Sequence, residues 1–266
     1  MKKQRVDSGV EIAFYDTGHG TPIVFLHSFG HNKAMWFPQL TYFVERGYRV
    51  VAPDMPGHGD STFDPAHHTV DAIARSYIEL LDRLGLQRVI LAGISMGGYI
   101  ALRMWARKPE LIAGLVLSNT KAKRDSDEIV ARRRAQIANI EQHGLAEFIR
   151  NGAPKRLSPT TLEQRPWVLD SITMMNFTVS AEANAATLEA MAVKEDDTAT
   201  LATIDVPALI TTGSDDVFIP KTAAAVLHER IKGSHLHVIQ DTGHVSSLEN
   251  PTEYNRVMDD FLRGVA

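Results

Sequence analysis

The chain has 266 residues, of which 44% are hydrophobic and 23% charged, and its formal net charge is −4. This composition is ordinary for one large globular domain and excludes a disordered or fibrous protein. Apart from a triple arginine at residues 132–134, the basic residues are scattered, so no basic stripe indicates a nucleic-acid partner. The chain has no cysteine, which excludes a disulfide framework, a thiolate nucleophile and a cysteine-ligated metal.

The first residues of the chain are basic but are not followed by the apolar segment of a signal peptide. No later run approaches the roughly 18 consecutive apolar residues that a membrane-spanning helix needs. We therefore expect a cytoplasmic protein with no membrane partner. The sequence is compatible with a homo-oligomer and does not determine the oligomeric state.

Short apolar runs alternate with helical patterns along most of the chain. A hairpin turning at Ser8-Gly9 comes first, and residues 69–86 form the clearest amphipathic helix, which ends at Gly85. Continuous apolar runs are typical of parallel strands that are buried on both faces. The pattern predicts a doubly wound α/β sheet. The runs lie at residues 22–27, 48–54, 88–93, 113–119, 207–213 and 236–241.

One segment, residues 121–203, interrupts this alternation because it contains helix starts but no convincing strand. Its signals for the first turn of a helix are a capping box at Asp125 and Glu128, Ser158-Pro159, and Ser180. No long polar linker separates the segment from the rest of the chain. We expect a helical cap at 121–203, inserted into a core domain formed by residues 1–120 and 204–266.

The strand at residues 88–93 runs into the sequence GISMG, so Ser95 lies in a G-x-S-x-G pattern between a strand and a helix. In this context the two glycines let the strand and the helix approach closely, and the serine oxygen projects above the sheet. The helix N-terminus favours negative charge nearby. The pattern predicts a nucleophile, and the alternative is a glycine-rich packing turn.

A nucleophilic serine needs a base, and the base needs an orienting acid. Asp215 and Asp216 follow the run at residues 207–213, and His244 follows the run at 236–241. Both loops come after the carboxyl ends of strands, where ligands bind in open α/β sheets. The order Ser, Asp, His therefore predicts a catalytic triad in which either aspartate is the acid.

These loops resemble those of the α/β-hydrolase superfamily, whose acid loop often reads G-x-x-D-x-x-x-P and whose histidine loop reads G-H-x-x-x-x-E-x-P. The matching residues are Gly213, Asp216, Pro220, Gly243, His244, Glu249 and Pro251. The resemblance implies that Asp216, and not Asp215, is the acid. It also implies the α/β-hydrolase fold, a mostly parallel twisted sheet of about eight strands flanked by helices, with the helical cap inserted after the sixth strand.

The sequence HSFG at residues 27–30 resembles the H-G-x-G oxyanion loop of the same superfamily, with Ser28 in place of the first glycine. The resemblance implies that the backbone N–H groups of Phe29 and Met96 form the oxyanion hole. Each such donor contributes roughly 2.7 to 4 kcal/mol to stabilisation of the transition state. A cap above a catalytic serine must also roof the substrate, so apolar side chains are expected to line the pocket. The candidates are Trp36, Trp167, Met174, Met175 and Phe177.

Within the superfamily, the chain is similar to the 3-oxoadipate enol-lactonase group and the small carboxylesterases around it. The similarity rests on residues 35–40, 93–102, 115–123 and 188–216. Those lactonases usually carry N-S-L-G at the first oxyanion loop, where this chain has HSFG. The resemblance implies a compact, lidded pocket suited to a small ester or lactone.

We therefore expect a serine hydrolase that cleaves a small carboxylic ester or lactone through an acyl-enzyme on Ser95, with no cofactor and no metal. The same triad also permits cleavage of a carbon–carbon bond in a β-diketone-like compound, or acyl transfer to peroxide as in a perhydrolase. A noncatalytic small-molecule receptor on the same fold is a further alternative. A dehalogenase is disfavoured because position 95 holds a serine and not a carboxylate.

Overall fold

The computed structural model describes residues 1–265. The chain begins with an antiparallel hairpin, β1 (Lys2–Arg5) and β2 (Glu11–Thr17). Gly9 has a φ of 85° in the connecting turn, a conformation that glycine adopts without steric cost. The predicted hairpin and its turn at Ser8-Gly9 are therefore confirmed.

The remaining strands form a parallel sheet that the hairpin extends at one edge. They are β3 (Pro22–Leu26), β4 (Arg49–Pro53), β5 (Val89–Ile94), β6 (Ile112–Ser118), β7 (Ala208–Gly213) and β8 (His235–Ile239). The strand order is β1-β2-β4-β3-β5-β6-β7-β8, and β2 pairs antiparallel with β4. The six predicted runs coincide with these strands apart from their terminal residues.

Helices cover both faces of this sheet, and alternate strand residues bury their side chains on opposite faces. Ile23 and Phe25 of β3 join one apolar cluster, whereas Val24 and Leu26 join the other. The helices in chain order are α1 (Phe37–Val44), α2 (Val70–Arg83), α3 (Met96–Arg107), α4 (Asp127–His143), α5 (Leu145–Gly152), α6 (Pro159–Gln164), α7 (Trp167–Asn176), α8 (Ala181–Ala192), α9 (Lys221–Arg230), α10 (Ser246–Glu249) and α11 (Pro251–Leu262). None of the helices within residues 1–265 is both long and apolar enough to cross a membrane.

The helix predicted at residues 69–86 is α2. The Thr69 side chain caps its N-terminus by accepting a hydrogen bond from the Ala72 N–H at 3.0 Å. Ile73 and Tyr77 lie on its buried face, and Gly85 follows it with a φ of 68°. Its apolar spacing and end signal therefore predicted its position correctly.

Helices α4 to α8 lie between β6 and β7, and residues 119–207, all described, contain no strand. Ser158 and Ser180 cap α6 and α8 as predicted. The capping box predicted at Asp125 is wrong, because Ser126 is the N-cap of α4. The buried Asp125 carboxylate instead lies 2.6 Å from Lys121 Nζ and 2.5 Å from Arg133 Nε. Two cations stabilise a buried carboxylate more than a helix terminus does.

Candidate active site

Ser95 lies at the sharp turn between β5 and α3. Its φ of 54° and ψ of −115° put a non-glycine residue at positive φ, which costs about 1–3 kcal/mol. The flanking glycines make this turn sterically possible. A Cβ on Gly93 would clash with the backbone of Gly97, and a Cβ on Gly97 would clash with the backbone of Leu26. The G-x-S-x-G pattern therefore corresponds to a close strand–helix approach that exposes the serine hydroxyl to the cavity above the sheet.

The strained turn is held by the neighbouring strand β6 and the residues that follow it. The Ser95 N–H donates to the Ser118 carbonyl at 2.9 Å. The Thr120 hydroxyl donates to the Ser95 carbonyl at 2.7 Å. Both backbone groups of Ser95 are thus fixed, so its unfavourable φ is compensated by contacts from outside the turn.

The structure brings Ser95, His244 and Asp216 together. His244 Nε2 lies 2.8 Å from Ser95 Oγ. His244 Nδ1 lies 2.9 Å from Asp216 Oδ2 and 3.1 Å from Oδ1. The neighbouring Asp215 is exposed and accepts a hydrogen bond from the Ser214 hydroxyl at 3.1 Å. Asp216 is therefore the aspartate in contact with the histidine.

The Asp216 carboxylate is held in place by groups of its own loop and of β6. The Phe218 and Ile219 N–H groups donate to Oδ1 at 2.8 and 3.1 Å, and the Asn119 amide donates to Oδ2 at 2.9 Å. Burial opposes ionisation of this carboxyl, but the interaction with the His244 imidazole and the hydrogen bonds from His244 and Asn119 lower the pKa of Asp216 below its ordinary value. The residue is therefore an ionised acceptor facing the imidazole.

Asn119 is a site residue that the sequence analysis did not identify. It follows β6 with a φ of 46°. Its amide nitrogen also donates to the Gly243 carbonyl at 3.1 Å, and its Oδ1 accepts from the Ser246 hydroxyl at 2.6 Å. Asn119 therefore connects the acid loop to the histidine loop. The available signal was its place directly after a buried strand, at the same sheet edge as Ser95.

The loop after β3 is fixed by His27. Its Nε2 accepts a hydrogen bond from the Met55 N–H at 2.8 Å, and its Nδ1 donates to the Ser28 carbonyl at 2.9 Å. Burial lowers the pKa of His27 to about 4, so the imidazole is neutral at neutral pH. His27 therefore has a structural role in shaping the loop.

The substitution of Ser28 for the usual glycine introduces no left-handed backbone. Among the described residues, the non-glycine residues with positive φ are Ser95, Asn119 and Asp241. The N–H groups of Phe29 and Met96 donate no hydrogen bond to a described residue. Met96 is the first residue of α3, where an N–H has no partner within the helix. Both amides are therefore free to bind an oxygen in the cavity.

The buried histidines predict a stability that depends on pH. Burial lowers the pKa of His27 and of His68 to about 4, from an ordinary value of 6.5. Between these values the unfolded chain binds more protons, so stability is fully present above pH 6.5 and falls as the pH falls towards 4. We expect a loss of about 2 kcal/mol for each histidine between pH 6.5 and pH 5.

Urea unfolding at pH 7.5 and at pH 5, followed by tryptophan fluorescence, measures this loss. His68→Gln should reduce the difference between the two free energies of unfolding. His19→Gln, at an exposed position whose side chain contacts no ionisable group among the described residues, should leave it unchanged. Equal free energies of unfolding for wild type at the two pH values would contradict the prediction.

A buried ion pair lies beneath the loop that follows β3. Lys33 Nζ contacts Asp54 Oδ2 at 2.6 Å and Asp60 Oδ2 at 2.5 Å, and the Lys33 N–H donates to Asp54 Oδ1 at 2.7 Å. The Asp54 carboxylate is fully buried. Burial alone would lower the pKa of Lys33, but the hydrogen bonds to Asp54 and Asp60 raise it. The pair joins the loop after β3 to the loop after β4.

Replacement of Lys33 by methionine should lower the free energy of unfolding by about 3–5 kcal/mol, because it leaves the Asp54 carboxylate buried without its cation. Chemical unfolding at pH 7.5 measures the change. Lys232→Met removes the same charge from an exposed position and should change the stability by less than about 0.5 kcal/mol. A similar effect of both substitutions would show that the buried pair does not stabilise the loops.

The histidine loop is bound to residues 156–158, between α5 and α6. The His244 N–H donates to the Arg156 carbonyl at 2.7 Å. The Ser158 N–H donates to Glu249 Oε2 at 2.8 Å, and the Ser158 hydroxyl donates to the Asp241 carbonyl at 2.8 Å. The position of His244 therefore depends on the helical segment between β6 and β7 as well as on the sheet.

A cavity of about 360 Å³ lies beside Ser95 and His244. Its walls include Phe29 and side chains from α4, α5 and α8. The apolar part of this lining consists largely of Phe29, Ile129, Phe148, Ile149, Leu188, Met191, Phe218 and Ile219. The helical segment thus covers the hydroxyl of Ser95.

The five apolar residues predicted to line the pocket lie elsewhere. Trp36 and Met175 are buried in the core. Trp167, Met174 and Phe177 are 59%, 68% and 48% exposed on the outer surface. Helix α7 packs the face with Val168, Ile172 and Met175 inward, so Trp167 and Met174 on its other face point to solvent. The predicted lining is therefore corrected to Phe29, Phe218, Ile219 and side chains of α4, α5 and α8, with Asn176 at the end of α7.

Comparison with known proteins agrees with the fold described above. A family model described as alpha/beta hydrolase fold matches residues 21–251. The chain is 27% identical to 3-oxoadipate enol-lactonase 2 of Acinetobacter baylyi over 257 residues, covering 97% of this chain and 94% of that protein.

Two solved structures extend the similarity to the fold. A thermophilic esterase from Thermogutta terrifontis, with malate bound, superposes with a TM-score of 0.94 at 30% identity over 99% of this chain and 98% of that one. The enol-lactonase from Burkholderia xenovorans has a TM-score of 0.90 at 26% identity, over 98% of this chain and 100% of that one. The fold class predicted from the sequence is confirmed. With a match across most of its length and the strand order described above, the chain belongs to the α/β-hydrolase family.

Proposed function

We propose that the protein is a serine hydrolase that cleaves a small carboxylic ester or lactone through an acyl-enzyme on Ser95. The observation that carries the proposal is the hydrogen-bonded series from Asp216 through His244 to the Ser95 hydroxyl, at the wall of a covered cavity. The similarity to an esterase and to enol-lactonases supports this class of substrate.

In the first half of the reaction, His244 Nε2 takes the proton of the Ser95 hydroxyl as Oγ attacks the acyl carbon. The carbonyl oxygen becomes negatively charged and accepts hydrogen bonds from the N–H groups of Phe29 and Met96. Asp216 orients the imidazole and stabilises its positive charge. The imidazolium then gives its proton to the departing alkoxide, and the acyl-enzyme forms.

In the second half, a water molecule gives a proton to His244 and attacks the acyl carbon. The bond to Ser95 Oγ breaks, the serine regains its proton from His244, and the carboxylic acid leaves. For a lactone, the alkoxide and the acid belong to one ring-opened product. Both halves use the three side chains, the two backbone N–H groups and water.

We also propose that residues 121–203 act as the cap of a core formed by residues 1–120 and 204–266. The support is that α4, α5 and α8 contribute side chains to the roof of the cavity, while Ser95, Asp216 and His244 follow strands of the sheet. A cap in this position excludes bulk water from the acyl group and limits the size of the substrate.

Burst kinetics and intact mass with a short-chain p-nitrophenyl ester test the proposed function. Wild type is expected to release a burst of p-nitrophenol and to gain the mass of one acyl group on rapid acid quenching. Ser95→Ala is expected to give neither. An equal adduct on the variant, or turnover without dependence on Ser95, would refute the acyl-enzyme.

A further inference from the structure

The loop after β3 is held from two sides. On the side of the core, the Ser28 carbonyl accepts hydrogen bonds from His27 Nδ1 at 2.9 Å and from the His31 N–H at 3.2 Å. This carbonyl and the Phe29 N–H belong to one planar trans peptide unit, so they point in opposite directions. The hydrogen bonds to the carbonyl therefore set the direction of the Phe29 N–H, one of the two proposed oxyanion donors.

On the other side, Arg156 holds the next peptide unit. Its Nη1 donates to the Phe29 carbonyl at 2.7 Å, and within residues 1–265 no other group donates to that oxygen. The guanidinium carbon lies over the Phe29 ring, 5.4 Å from its centre. Gly30 permits this arrangement, because its φ is 72° and a Cβ there would come within 2.8 Å of Asn176 Nδ2.

The main chain of Arg156 is bound to the histidine loop. Its carbonyl accepts the His244 N–H at 2.7 Å, and a Cβ on Gly243 would come within 2.6 Å of the same oxygen. One residue of the helical segment therefore contacts both the Phe29 loop and the His244 loop. The first contact uses the side chain and the second uses the main chain. A substitution at position 156 can thus remove the first and keep the second.

We propose that Arg156 is a positioning residue that holds the Phe29 N–H in the direction required to bind the oxyanion. Because the peptide units on both sides of Phe29 are held, its N–H cannot rotate away from the cavity. A donor fixed before the substrate binds stabilises the developing charge without a cost of reorganisation. In this role Arg156 acts through the Phe29 backbone and not on the substrate. The inference rests on the proposed ester or lactone hydrolysis.

Burst kinetics with p-nitrophenyl acetate, an uncharged ester, measure the effect on catalysis. Arg156→Met removes the donor and keeps an unbranched side chain. It is expected to lower the maximal burst rate by about 10- to 100-fold, because one of the two oxyanion donors is no longer held in place. The ester concentration at half-maximal burst rate should stay within about twofold of wild type, because the oxyanion is absent from the bound substrate.

Two variants control for charge and for the loss of an arginine elsewhere. Arg150→Met removes an exposed arginine that also donates to a backbone carbonyl, that of Ala146 at 3.1 Å, and should keep the wild-type burst rate. Arg156→Lys keeps the charge but not the planar group over the Phe29 ring, and should recover only part of the rate. If Arg156→Met fails to fold, as judged by circular dichroism, Arg156→Gln replaces it, because its shorter side chain cannot reach the Phe29 carbonyl.

Amide NMR spectra of protein isotope-labelled at phenylalanine and methionine observe the two donors separately. Butylboronic acid forms a tetrahedral adduct with a nucleophilic serine and places an oxygen in the oxyanion hole. In wild type the adduct should shift the amide resonances of both Phe29 and Met96. In Arg156→Met it should still shift that of Met96, whereas the shift at Phe29 should be lost.

The outcomes separate this inference from the proposed function. A wild-type burst rate in Arg156→Met, or an unchanged response of its Phe29 amide, would overturn the positioning role and leave the hydrolase intact. A full rate in Arg156→Lys with a displaced Phe29 resonance would also overturn it, because the charge and not the placement would then matter. If wild type forms neither an acyl-enzyme nor a boronate adduct, the proposed hydrolysis fails and the free protein decides. A change in the Phe29 resonance between wild type and Arg156→Met then supports the positioning role, and no change overturns it.

Discussion

Replacement of Ser95 by alanine is expected to lower kcat by about 10⁶-fold on any ester that the wild type turns over. The reason is that Oγ, 2.8 Å from His244 Nε2, is the one atom positioned to attack the acyl carbon and to pass its proton to the imidazole. The fold should persist, because the backbone contacts of Ser95 with Ser118 and Thr120 do not involve Oγ. Steady-state hydrolysis and a thermal melt of the purified variant measure both effects.

The matched variant Ser95→Gly separates catalysis from backbone strain. Alanine at position 95 keeps the φ of 54° that a Cβ disfavours, whereas glycine adopts it freely. The glycine variant should therefore be as inactive as the alanine variant but more stable than it, by about 1 kcal/mol. Equal melting temperatures for the two variants would mean that the turn stores no strain, and activity in either would reject Ser95 as the nucleophile.

Replacement of Asp216 by asparagine is expected to lower kcat by about 10⁴-fold. Because Phe218 and Ile219 donate N–H groups to Oδ1, the amide oxygen of the variant must take that place. Its NH₂ group then occupies the Oδ2 position, donates to His244 Nδ1, and no longer accepts the hydrogen bond from the Asn119 amide. The imidazole is forced into the tautomer protonated at Nε2, which cannot accept the proton of Ser95.

The neighbouring aspartate supplies the control for this substitution. Asp215→Asn makes the same chemical change one residue away, at an exposed side chain that does not contact His244. It should leave kcat within about twofold of wild type, since surface changes of this kind are nearly neutral. A comparable loss in both variants would indicate a general disturbance of the acid loop. A loss in Asp215→Asn alone would identify Asp215 as the acid.

Ser95, Asp216 and His244 could be located from the sequence because each lies in a short pattern directly after a buried strand. The carboxyl ends of parallel strands meet at one sheet edge, so a local pattern was enough to predict a shared site. Asn119 and Arg156 had no such pattern. Their contacts join residues far apart in the chain, with Asn119 bound to Asp216 and Arg156 to Phe29 across 97 and 127 positions.

The helical segment shows where local patterns fail. The serine caps at Ser158 and Ser180 were predicted correctly because a cap depends on the next few residues alone. The capping role predicted for Asp125 was wrong, because its carboxylate forms ion pairs with Lys121 and Arg133. Trp167 and Met174 are large apolar residues of the kind that line pockets, yet both are exposed. Only the packing of α7 decides which of its faces is buried.

The hydrogen bonds of residues 156–158 to the histidine loop limit how freely the helical segment between β6 and β7 can be exchanged among relatives. A chimera that imports another helical segment would lose the contacts of Arg156 and Ser158 with His244, Asp241 and Glu249 unless the graft supplies equivalents. The position of His244 and the helices that line the cavity are thus linked at this junction, whereas the exposed face of α7, with Trp167 and Met174, is open to divergence. Recombination of these hydrolases should tolerate breakpoints on either side of residues 156–158, provided that this short stretch travels with its own histidine loop.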